Sequence, residues 1–429
     1  MSTPSPNDSN PHIVIIGGGI IGCTTAYYLT TSKSGPATSN RPIKVTLIEA
    51  SAHGVAQGAS GKAGGLVAKW AYPKELVAVS FREHERLARE HGGKEKWGWR
   101  YVGCGTWEGR AEIASESGEK GELGKGQKNL EKELGLPGGS KPKARGRLEK
   151  GLPEDLLWVK EELTDAYSPM GKDGHTAQVH PYQFTTSMFE LAKSQGLVHV
   201  QGTATAVLKA NGRVTGVSYK ANGGSGEIKT INATHVLVAA GAWSPRIVEE
   251  LPISPTRAHS VIFRPQPGVH IAPYVLFTEI ALSSKPSHGR GGRRTATTTV
   301  SPEIYARPDG EVYACGPGDD EPLPETVDDV EVDAGACDSI IQHVTAISQE
   351  LKDAAVQKRQ ACYLPTVETG GGPIVGEADR IAKGLYIATG HTCWGICNAP
   401  GTALALTELI LDGKIRCGNL ERLKPSVFL

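Results

Sequence analysis

Residues 12–22 of this 429-residue chain read HIVIIGGGIIG, and this pattern is the strongest indication of its fold. Four apolar residues, 13–16, predict a buried parallel strand, and the run that begins at residue 20 predicts a helix. Between them, Gly17 permits a tight turn, Gly19 lets a pyrophosphate approach the backbone, and Gly22 lets the helix pack close to the strand. The start of the helix offers free N–H groups and the positive end of its dipole to phosphates. The stretch therefore predicts a dinucleotide site.

An acidic residue closes the second strand of this unit. Residues 43–48 are mostly apolar and predict a strand, and Glu49 follows directly. A carboxylate there suits the two hydroxyls of an adenosine ribose and repels a 2′-phosphate. Glu49 lies further from Gly17 than the usual spacing of about 20 residues. The intervening loop at 31–42, rich in Ser, Thr, Gly and Pro, accounts for the excess.

Composition narrows the class of protein. Lys plus Arg and Asp plus Glu both number 46, so the net charge favours neither nucleic acid nor an anionic membrane as a partner. No window approaches the roughly 20 apolar residues of a membrane span, and residues 1–12 lack the pattern of a signal peptide. Eight cysteines without regular spacing predict a reducing, cytoplasmic location. Cys393 and Cys397 have no matching His or Cys pair nearby, so no metal site is expected.

Two polar stretches interrupt the apolar patterns. Glu108–Lys150 is rich in Gly, Glu and Lys and has few aromatic residues, which predicts a solvated, poorly ordered insertion. Its charge runs fit a solvated surface, with binding of a partner as the alternative reading. Ser283–Thr299 is predicted to be a second polar loop.

Strand–loop–helix units stand at both ends of the chain. Near the C-terminus a strand at Leu385–Ala388, a loop at Thr389–Pro400 and a helix at Gly401–Leu411 repeat the N-terminal arrangement. This pattern predicts an α/β fold, with a Rossmann-like domain built from distant parts of the chain and a β-rich α+β substrate domain. The predicted boundaries are 1–70, 161–250 and 359–429 for the first domain and 71–160 and 251–358 for the second.

Four blocks together resemble one known family. The chain is similar to the D-amino acid oxidase-like FAD oxidoreductases, which include glycine oxidase and sarcosine oxidase, and among them to a fungal branch named after sensitivity to topoisomerase-I damage. The resemblance implies a glutathione reductase-type Rossmann-like domain, and it also admits a peripheral association with endosomes. The blocks are HIVIIGGGIIG (12–22) with Glu49, GASGKAGG (58–65), VLVAAGAWS (236–244), and PIVG (373–376) followed by GLYIATGHTCWGI (384–396).

The resemblance implies FAD as the cofactor. Gly17, Gly19 and Gly22 would hold the pyrophosphate, Glu49 would bind the adenosine ribose, and Val207 would meet the adenine through its backbone. The other residues that the resemblance places along the cofactor are Ile20, Ile21, Ala50, Ser60, Gly61, Lys62, Gly64, Gly65, Leu66, Ala240, Gly241, Trp243, Gly390, His391, Trp394, Gly395 and Ile396.

Five residues are candidates for catalysis. Lys62 near the flavin ring would favour the reduced flavin and its reaction with oxygen, with a solvated loop lysine as the alternative. Lys69 falls where sarcosine oxidase carries a carboxylate-binding arginine; a surface lysine is the alternative. Trp394 and Tyr305 would form an aromatic wall that receives a neutral or cationic amine. His391 would orient groups near the ring.

The departures from the family pattern bear on the substrate. Leu364 stands where glycine oxidase-like members carry an arginine that binds the substrate carboxylate, so a simple amino acid is in doubt. Cys362 lies close to the position of the flavin-linked cysteine of sarcosine oxidases; a buried free thiol is the alternative. Arg307 is expected to brace a strand end, and His180 to mark the start of a helix.

The sequence predicts an FAD-dependent amine or amino-acid oxidoreductase. Hydride transfer from the carbon next to nitrogen would give an imine, which water hydrolyses, and oxygen would yield hydrogen peroxide. The expected partners are a small amine or amino-acid-like substrate and oxygen, without nucleic acid. A flavin-binding protein with a role in interaction or trafficking and little turnover is the main alternative. An NAD-dependent dehydrogenase is a third reading, which would purify without yellow colour.

Overall fold

A computed structural model describes residues 10–32, 42–112, 146–223, 226–283 and 297–429. Most of the N-terminal lead, of the loop predicted at 31–42 and of the two polar stretches lies outside these residues. Within them, nineteen strands are found. In chain order they are β1 His12–Ile16, β2 Lys44–Glu49, β3 Leu66–Ala68, β4 Arg100–Tyr101, β5 Gly103–Glu112, β6 Thr164–Pro169, β7 Thr176–Gln178, β8 Val198–Ala210, β9 Arg213–Ala221, β10 Ile228–Asn232, β11 His235–Val238, β12 Ile253–Arg264, β13 Tyr274–Ser283, β14 Thr297–Val300, β15 Glu303–Ala306, β16 Val312–Asp319, β17 Ala355–Val367, β18 Ile374–Glu377 and β19 Leu385–Thr389.

The first sheet is built around the N-terminal strand. Its order is β10-β9-β8-β2-β1-β11-β19-β18, and the five strands from β8 to β19 run parallel. Ile15 of β1 stands opposite Leu47 and Leu237 on its two neighbours, and all three are fully buried. Strands buried on both faces need the continuous apolar runs seen at 13–16. The N-terminal motif therefore forms the middle of the sheet.

The second sheet is largely antiparallel and shares no strand with the first. Its path is β17-β12-β16-β15-β13-β5-β6, with β14 paired to β13, and its one parallel pair is β5 with β13. A separate core beneath it includes Trp107, Phe263 and Ile304. A third sheet of three short strands has the order β3-β7-β4.

Helices cover the parallel sheet. In the described residues they are α1 Ile20–Thr31, α2 Ala59–Lys62, α3 Lys74–His91, α4 Gly93–Trp97, α5 Pro181–Ser194, α6 Ala334–Ile347, α7 Gln349–Lys352, α8 Gly395–Asp412 and α9 Pro425–Phe428. α1 packs against α5 and α8, and α3 packs against α8, so that these four helices form one layer. α6 packs on the second sheet through β12, β16 and β5. None of the helices in the described part of the chain is long and apolar enough to cross a lipid bilayer.

Several segments lie elsewhere than their predicted boundaries suggest. β6 and the end of β17 belong to the second sheet, although 161–250 and 359–429 were assigned to the first domain. Residues 108–112 continue β5 and pair with β13, so these five residues of the insertion predicted at 108–150 are strand, and residues 113–145 lie outside the described part of the chain. Similarly, β14 occupies the end of the loop predicted at 283–299. Local composition indicates a strand or a loop, but the choice of sheet depends on pairing with distant strands.

The helix predicted at 401–411 begins six residues earlier, at Gly395, and contains Pro400 in its interior. Proline has no N–H to donate to the carbonyl of residue i−4, here Ile396. His84 of α3 supplies the missing donor: its Nε2 lies 3.0 Å from the Ile396 oxygen and 3.2 Å from the Cys397 oxygen. Ser80, one turn away, accepts from the N–H of Gly401 at 3.2 Å. His84 and Ser80 of α3 therefore provide hydrogen-bond partners for the backbone groups around Pro400.

Replacing His84 by Phe should destabilise the fold. His84 is buried, burial lowers its pKa to about 4, and the neutral ring donates to carbonyls that can only accept. The H84F variant keeps a ring but leaves these buried oxygens unpaired, which costs about 1–3 kcal/mol of unfolding free energy. Urea denaturation measures the loss. His270→Phe, at an exposed position, should change stability by less than about 0.5 kcal/mol. Equal stability of H84F and the unmodified protein would contradict this role.

Candidate functional site

A cavity of about 410 Å³ lies between the carboxyl ends of the parallel strands and one face of the second sheet. Residues that follow β1, β2, β11 and β19 form one side of its wall, and side chains of β13, β15, β16 and β17 form the other. Ligands of open parallel sheets bind at this edge, where the loops between strands and helices converge. The cavity is therefore the candidate site.

The glycine turn has the geometry that its spacing predicts. Gly17 has a φ of +113°, and a Cβ there would lie 2.4 Å from the Ala239 carbonyl oxygen. A Cβ on Gly22 would lie 2.0 Å from the oxygen of Gly17. Gly19 forms part of the cavity wall. Gly17 and Gly22 thus permit close packing of strand, turn and helix, and Gly19 leaves space for a ligand.

The beginning of α1 presents donors to the cavity. The N–H of Ile20 donates to the Ser60 hydroxyl at 2.8 Å. In the described part of the chain no hydrogen bond engages the N–H groups of Gly19 and Ile21, and both residues are on the wall. Free N–H groups at the start of a twelve-residue helix suit a pyrophosphate. This part of the site fits a dinucleotide cofactor.

Glu49 is held at the end of β2 by backbone groups. Its two carboxylate oxygens accept from the N–H of Gly18 at 2.6 Å and of Ser51 at 2.7 Å. Burial raises the pKa of Glu49, and these two hydrogen bonds oppose the rise. Each oxygen retains a further lone pair, and Glu49 lies on the cavity wall. Glu49 is therefore placed to accept from ribose hydroxyls, as the sequence predicts.

Val207, which the resemblance places at the adenine, lies in the antiparallel part of β8. It pairs with Val217 and is not among the wall residues. Residues 202–204, nearer the start of β8, line the cavity. β8 runs continuously from Val198 to Ala210, so Val207 lies further along the strand than its cavity end, and its contact with the adenine stays a prediction.

A segment from the second half of the chain closes one side of the cavity. Residues 322–329, here called the strap, follow β16, and three of them line the wall. Trp243 and Tyr363 donate from their side chains to strap carbonyls, at 3.0 and 2.7 Å. Ser51 donates to the Asp328 carboxylate at 2.6 Å. The strap therefore joins the second sheet to the loop that follows Glu49; the sequence patterns did not predict it.

The two candidate lysines have different surroundings. Lys62, at the end of α2, is on the cavity wall and donates through Nζ to the Ala361 oxygen at 2.9 Å. Burial lowers its pKa. Lys69 is exposed, with Nζ 4.5 Å from the centre of the Phe81 ring, and is not a wall residue. The geometry favours the alternative reading of Lys69, a surface lysine, because the loop turns outward after β3.

Aromatic side chains contribute to the cavity wall. Trp394 is buried and packs edge-on against Trp70 and Tyr72, with ring centres 5.8 and 5.7 Å away. Tyr305 of β15 faces Gly64, where a Cβ would lie 2.7 Å from its ring. Trp394 and Tyr305 thus both line the cavity, here called the aromatic wall, and Gly64 makes room for the tyrosine ring.

Three further predicted residues line the cavity close to this wall. His391 is buried, bonds Thr402 through Nε2 at 3.1 Å, and has its pKa lowered to about 3 by burial, so it is neutral near neutral pH. Burial also raises the pKa of the Cys362 thiol to about 11. Leu364 brings an apolar side chain to the wall. None of these three groups carries a positive charge at neutral pH.

Most of the predicted cofactor residues meet at this cavity. Gly22, Gly61 and Gly390 are not on its wall; they permit close packing beside it instead. The sequence reading missed Phe277, Glu303, Tyr313 and Cys315, although the alternation of Glu303 and Tyr305 in one strand signals a shared face. The predicted residues on the wall are Gly17, Gly19, Ile20, Ile21, Glu49, Ala50, Ser60, Lys62, Gly64, Gly65, Leu66, Ala240, Gly241, Trp243, Tyr305, Cys362, His391, Trp394, Gly395 and Ile396.

Outside the cavity, His180, Asp309 and Glu311 place one ligand atom each within 4.8 Å of one another. Arg307 forms an ion pair with Glu311 at 3.2 Å. The Nδ1 atom of His180 accepts from the N–H of Gln183 at the start of α5, as expected for a residue that begins a helix. The Arg307 guanidinium already balances this acidic pair, so the cluster has a structural explanation. The expectation of no metal site stays a prediction.

The glycine turn, the carboxylate of Glu49 and the cavity between two sheets fit a dinucleotide-binding protein. Residues 12–409 match the family described as FAD dependent oxidoreductase (DAO), and the chain belongs to this family. Its cofactor is FAD. The predicted family, cofactor and fold class are confirmed.

Proteins similar to this chain align with it over almost its whole length. The chain is 31% identical to TDA3 of Saccharomyces cerevisiae, named as an oxidoreductase, with 99% of this chain and 96% of that protein covered. L-proline dehydrogenase from P. horikoshii has a TM-score of 0.68 at 19% identity, with 98% of each chain covered. Glycine oxidase from Bacillus cereus ATCC 14579 has a TM-score of 0.63 at 20% identity, with 94% of this chain and 96% of that chain covered. These two structures share the fold.

Replacing Gly19 by Ala should weaken FAD binding without unfolding the protein. Its φ of −75° suits alanine, and the new Cβ would lie 3.0 Å from the Ser60 hydroxyl, which can rotate away. The methyl group would occupy the cavity wall where the pyrophosphate is expected, so the Kd for FAD should rise about tenfold or more, or about 1.4 kcal/mol per tenfold. Fluorescence titration of the apoprotein measures it. Gly335→Ala, in the first turn of α6, is the control and should leave the Kd unchanged. Unchanged affinity of G19A would contradict the placement.

Proposed function

We propose that this protein oxidises the carbon–nitrogen bond of a small amine or amino-acid-like substrate, with oxygen as the electron acceptor. The observation that carries the proposal is that Trp394 and Tyr305 line the same cavity as Lys62. Flat aromatic faces attract neutral or cationic amines. Hydrogen peroxide and, after hydrolysis of the imine, a carbonyl compound would be the products.

The residues of the chain would have separate tasks. FAD, when bound, would act as the acceptor of a hydride from the carbon next to the substrate nitrogen. Glycines 17 and 19 and the start of α1 would hold the pyrophosphate, and Glu49 the ribose. Trp394 and Tyr305 would orient the substrate, so that positioning supplies much of the rate enhancement. His391, being neutral and bonded to Thr402, would keep this wall in place.

Two structural neighbours support an amine substrate. Glycine oxidase and L-proline dehydrogenase, by their names, act on amino acids, and both share this fold. Oxidation next to nitrogen is common to these two reactions. Eight free cysteines support a reducing compartment, and we propose a cytoplasmic location.

A second candidate function rests on Leu364. An apolar residue at the position of the family's carboxylate-binding arginine would also suit a flavoprotein that binds FAD but has little turnover. Anaerobic mixing of the FAD-loaded protein with amines, N-methyl amino acids and amino acids distinguishes the two. Bleaching of the visible flavin absorbance by a member of the series supports the enzyme, and oxidised flavin throughout supports the binding protein.

Replacing Lys62 by Met should slow reoxidation by oxygen. The Lys62 ammonium lies on the cavity wall and would stabilise the negative charge that develops on oxygen as it accepts an electron. Losing one such electrostatic contact should lower the rate constant for reoxidation about tenfold or more, with anaerobic reduction little changed. Stopped-flow absorbance measures both steps. Lys69→Met is the matched control, because Lys69 lies off the wall, and it should reoxidise normally. Equal reoxidation of K62M and the unmodified protein would remove Lys62 from the mechanism.

Denaturation should release the flavin from the polypeptide. Because burial raises the pKa of the Cys362 thiol to about 11, little of it is the nucleophilic thiolate near neutral pH. We therefore expect non-covalent FAD, and a denaturing gel should show no fluorescent protein band. A fluorescent band that disappears in Cys362→Ser would instead establish a covalent link at this cysteine.

A further inference from the structure

A carboxyl group lies inside the cavity that the proposed mechanism does not use. Glu303 begins β15 and stands opposite Phe277 on β13 and Cys315 on β16. All three residues are on the cavity wall, together with Tyr305, two residues further along the same strand. Residues two apart in a strand face the same side of a sheet. The register therefore fixes Glu303 beside the aromatic wall.

The contacts of Glu303 are confined to one of its two oxygens. Tyr305 donates from its hydroxyl to Oε2, and the Cys315 thiol lies 3.7 Å from the same atom. Within the described ranges, Oε1 receives no hydrogen bond. A buried carboxyl group with a purely structural role would have donors on both oxygens. The open atom Oε1 can accept from a ligand in the cavity.

No cation balances this carboxyl group. Among the described residues, no Lys, Arg or His lies within ion-pair distance of Glu303, whereas the buried Glu83 and the half-buried Glu311 each have an arginine partner. Burial raises the pKa of Glu303, and the hydrogen bonds from Tyr305 and Cys315 oppose the rise. Glu303 is half-buried in the empty cavity, and a ligand that fills the cavity would bury it further. An unpaired carboxylate is costly to bury, and a cationic ligand would offset that cost.

The cavity wall offers little free positive charge for a substrate carboxylate. Leu364 is apolar, His391 is neutral, and Arg246 donates to carbonyls of the strap. Lys62 donates to the Ala361 carbonyl, and both it and Arg246 remain charged. Because these two cations already donate to backbone carbonyls, neither offers a substrate carboxylate the fully free bidentate contact that an unengaged arginine provides.

We propose that Glu303 determines the substrate class: the cavity binds a protonated primary or secondary amine that has no carboxylate on the neighbouring carbon. An N–H of the ammonium group donates to Oε1, while the Tyr305 hydroxyl holds Oε2. The ammonium proton then passes to Oε1: the N–H bond breaks, an O–H bond forms, and the electron pair stays on nitrogen. The amine becomes neutral, which is the form that can be oxidised. This inference rests on the proposed amine oxidation.

Pyrrolidine and proline provide the test, because they share a ring and differ by the carboxylate. Binding is measured by calorimetry on FAD-loaded protein reduced beforehand with dithionite, so that no turnover can occur. Pyrrolidine should bind about tenfold more tightly than proline or better, since an unpaired buried charge selects for the opposite charge. Turnover of either compound by the oxidised protein is measured separately. Failure of the proposed function, without flavin reduction, is therefore distinct from failure of this selectivity.

The Glu303→Gln variant isolates the charge. Its amide oxygen can still accept from Tyr305, so the local packing is kept, but the ammonium loses its counter-charge. The Kd of pyrrolidine should rise about tenfold or more, with that of proline little changed or lowered. Glu279→Gln on the neighbouring strand β13, off the cavity wall, is the matched control and should bind pyrrolidine normally.

Three results would overturn the assignment. If proline binds as tightly as pyrrolidine, the cavity also binds a carboxylate, and Lys62 is the candidate cation. Unchanged pyrrolidine affinity in E303Q would make Glu303 a structural partner of Tyr305. Absence of pyrrolidine binding to the unmodified protein would remove small amines of this kind from the substrate class. The comparison of the two ligands on the unmodified protein remains decisive even if the variant fails to fold.

Discussion

The close approach of α1 to β1 is the constraint on which the rest of the structure depends. Gly22 passes so near the carbonyl of Gly17 that a single methyl group on it would overlap that oxygen. This contact directs the first turn of α1 toward the carboxyl edge of the sheet, so its free N–H groups face the cavity. Glu49, Ala240 and His391 reach the same edge because β2, β11 and β19 run parallel to β1 in one sheet. One short-range contact thus orients the start of α1 toward the cavity that these residues line.

The second sheet supplies what the first cannot. Its cavity face carries Phe277, Glu303, Tyr305, Cys315 and Cys362 from four strands. Their mutual arrangement follows from pairing: Glu303 opposite Cys315, and Tyr305 opposite Tyr313. A ligand in the cavity would therefore lie between the backbone turns of the first sheet and these side chains of the second. The first sheet contributes mainly backbone groups, and the second contributes side chains.

The sequence predicted the cofactor side better than the substrate side, and the reason is physical. The glycine turn and Glu49 act through local backbone geometry, which a motif of eleven residues determines. Lys69 and Val207 lie off the cavity wall, because their positions depend on where a loop turns and where a long strand meets the cavity. The early start of α8 was missed since Pro400 ordinarily ends a helix, and only the tertiary contact with His84 allows it to continue. Glu303 has no motif at all.

The strap gives the cofactor cavity a boundary made by a different part of the chain. Its carbonyls are held by Trp243 and Tyr363, and Asp328 is held by Ser51. A dinucleotide bound behind this segment would be freed by the joint opening of those contacts, as in a local unfolding event. The lifetime of the holoprotein would then depend on the local stability of the strap as well as on the contacts to the cofactor itself.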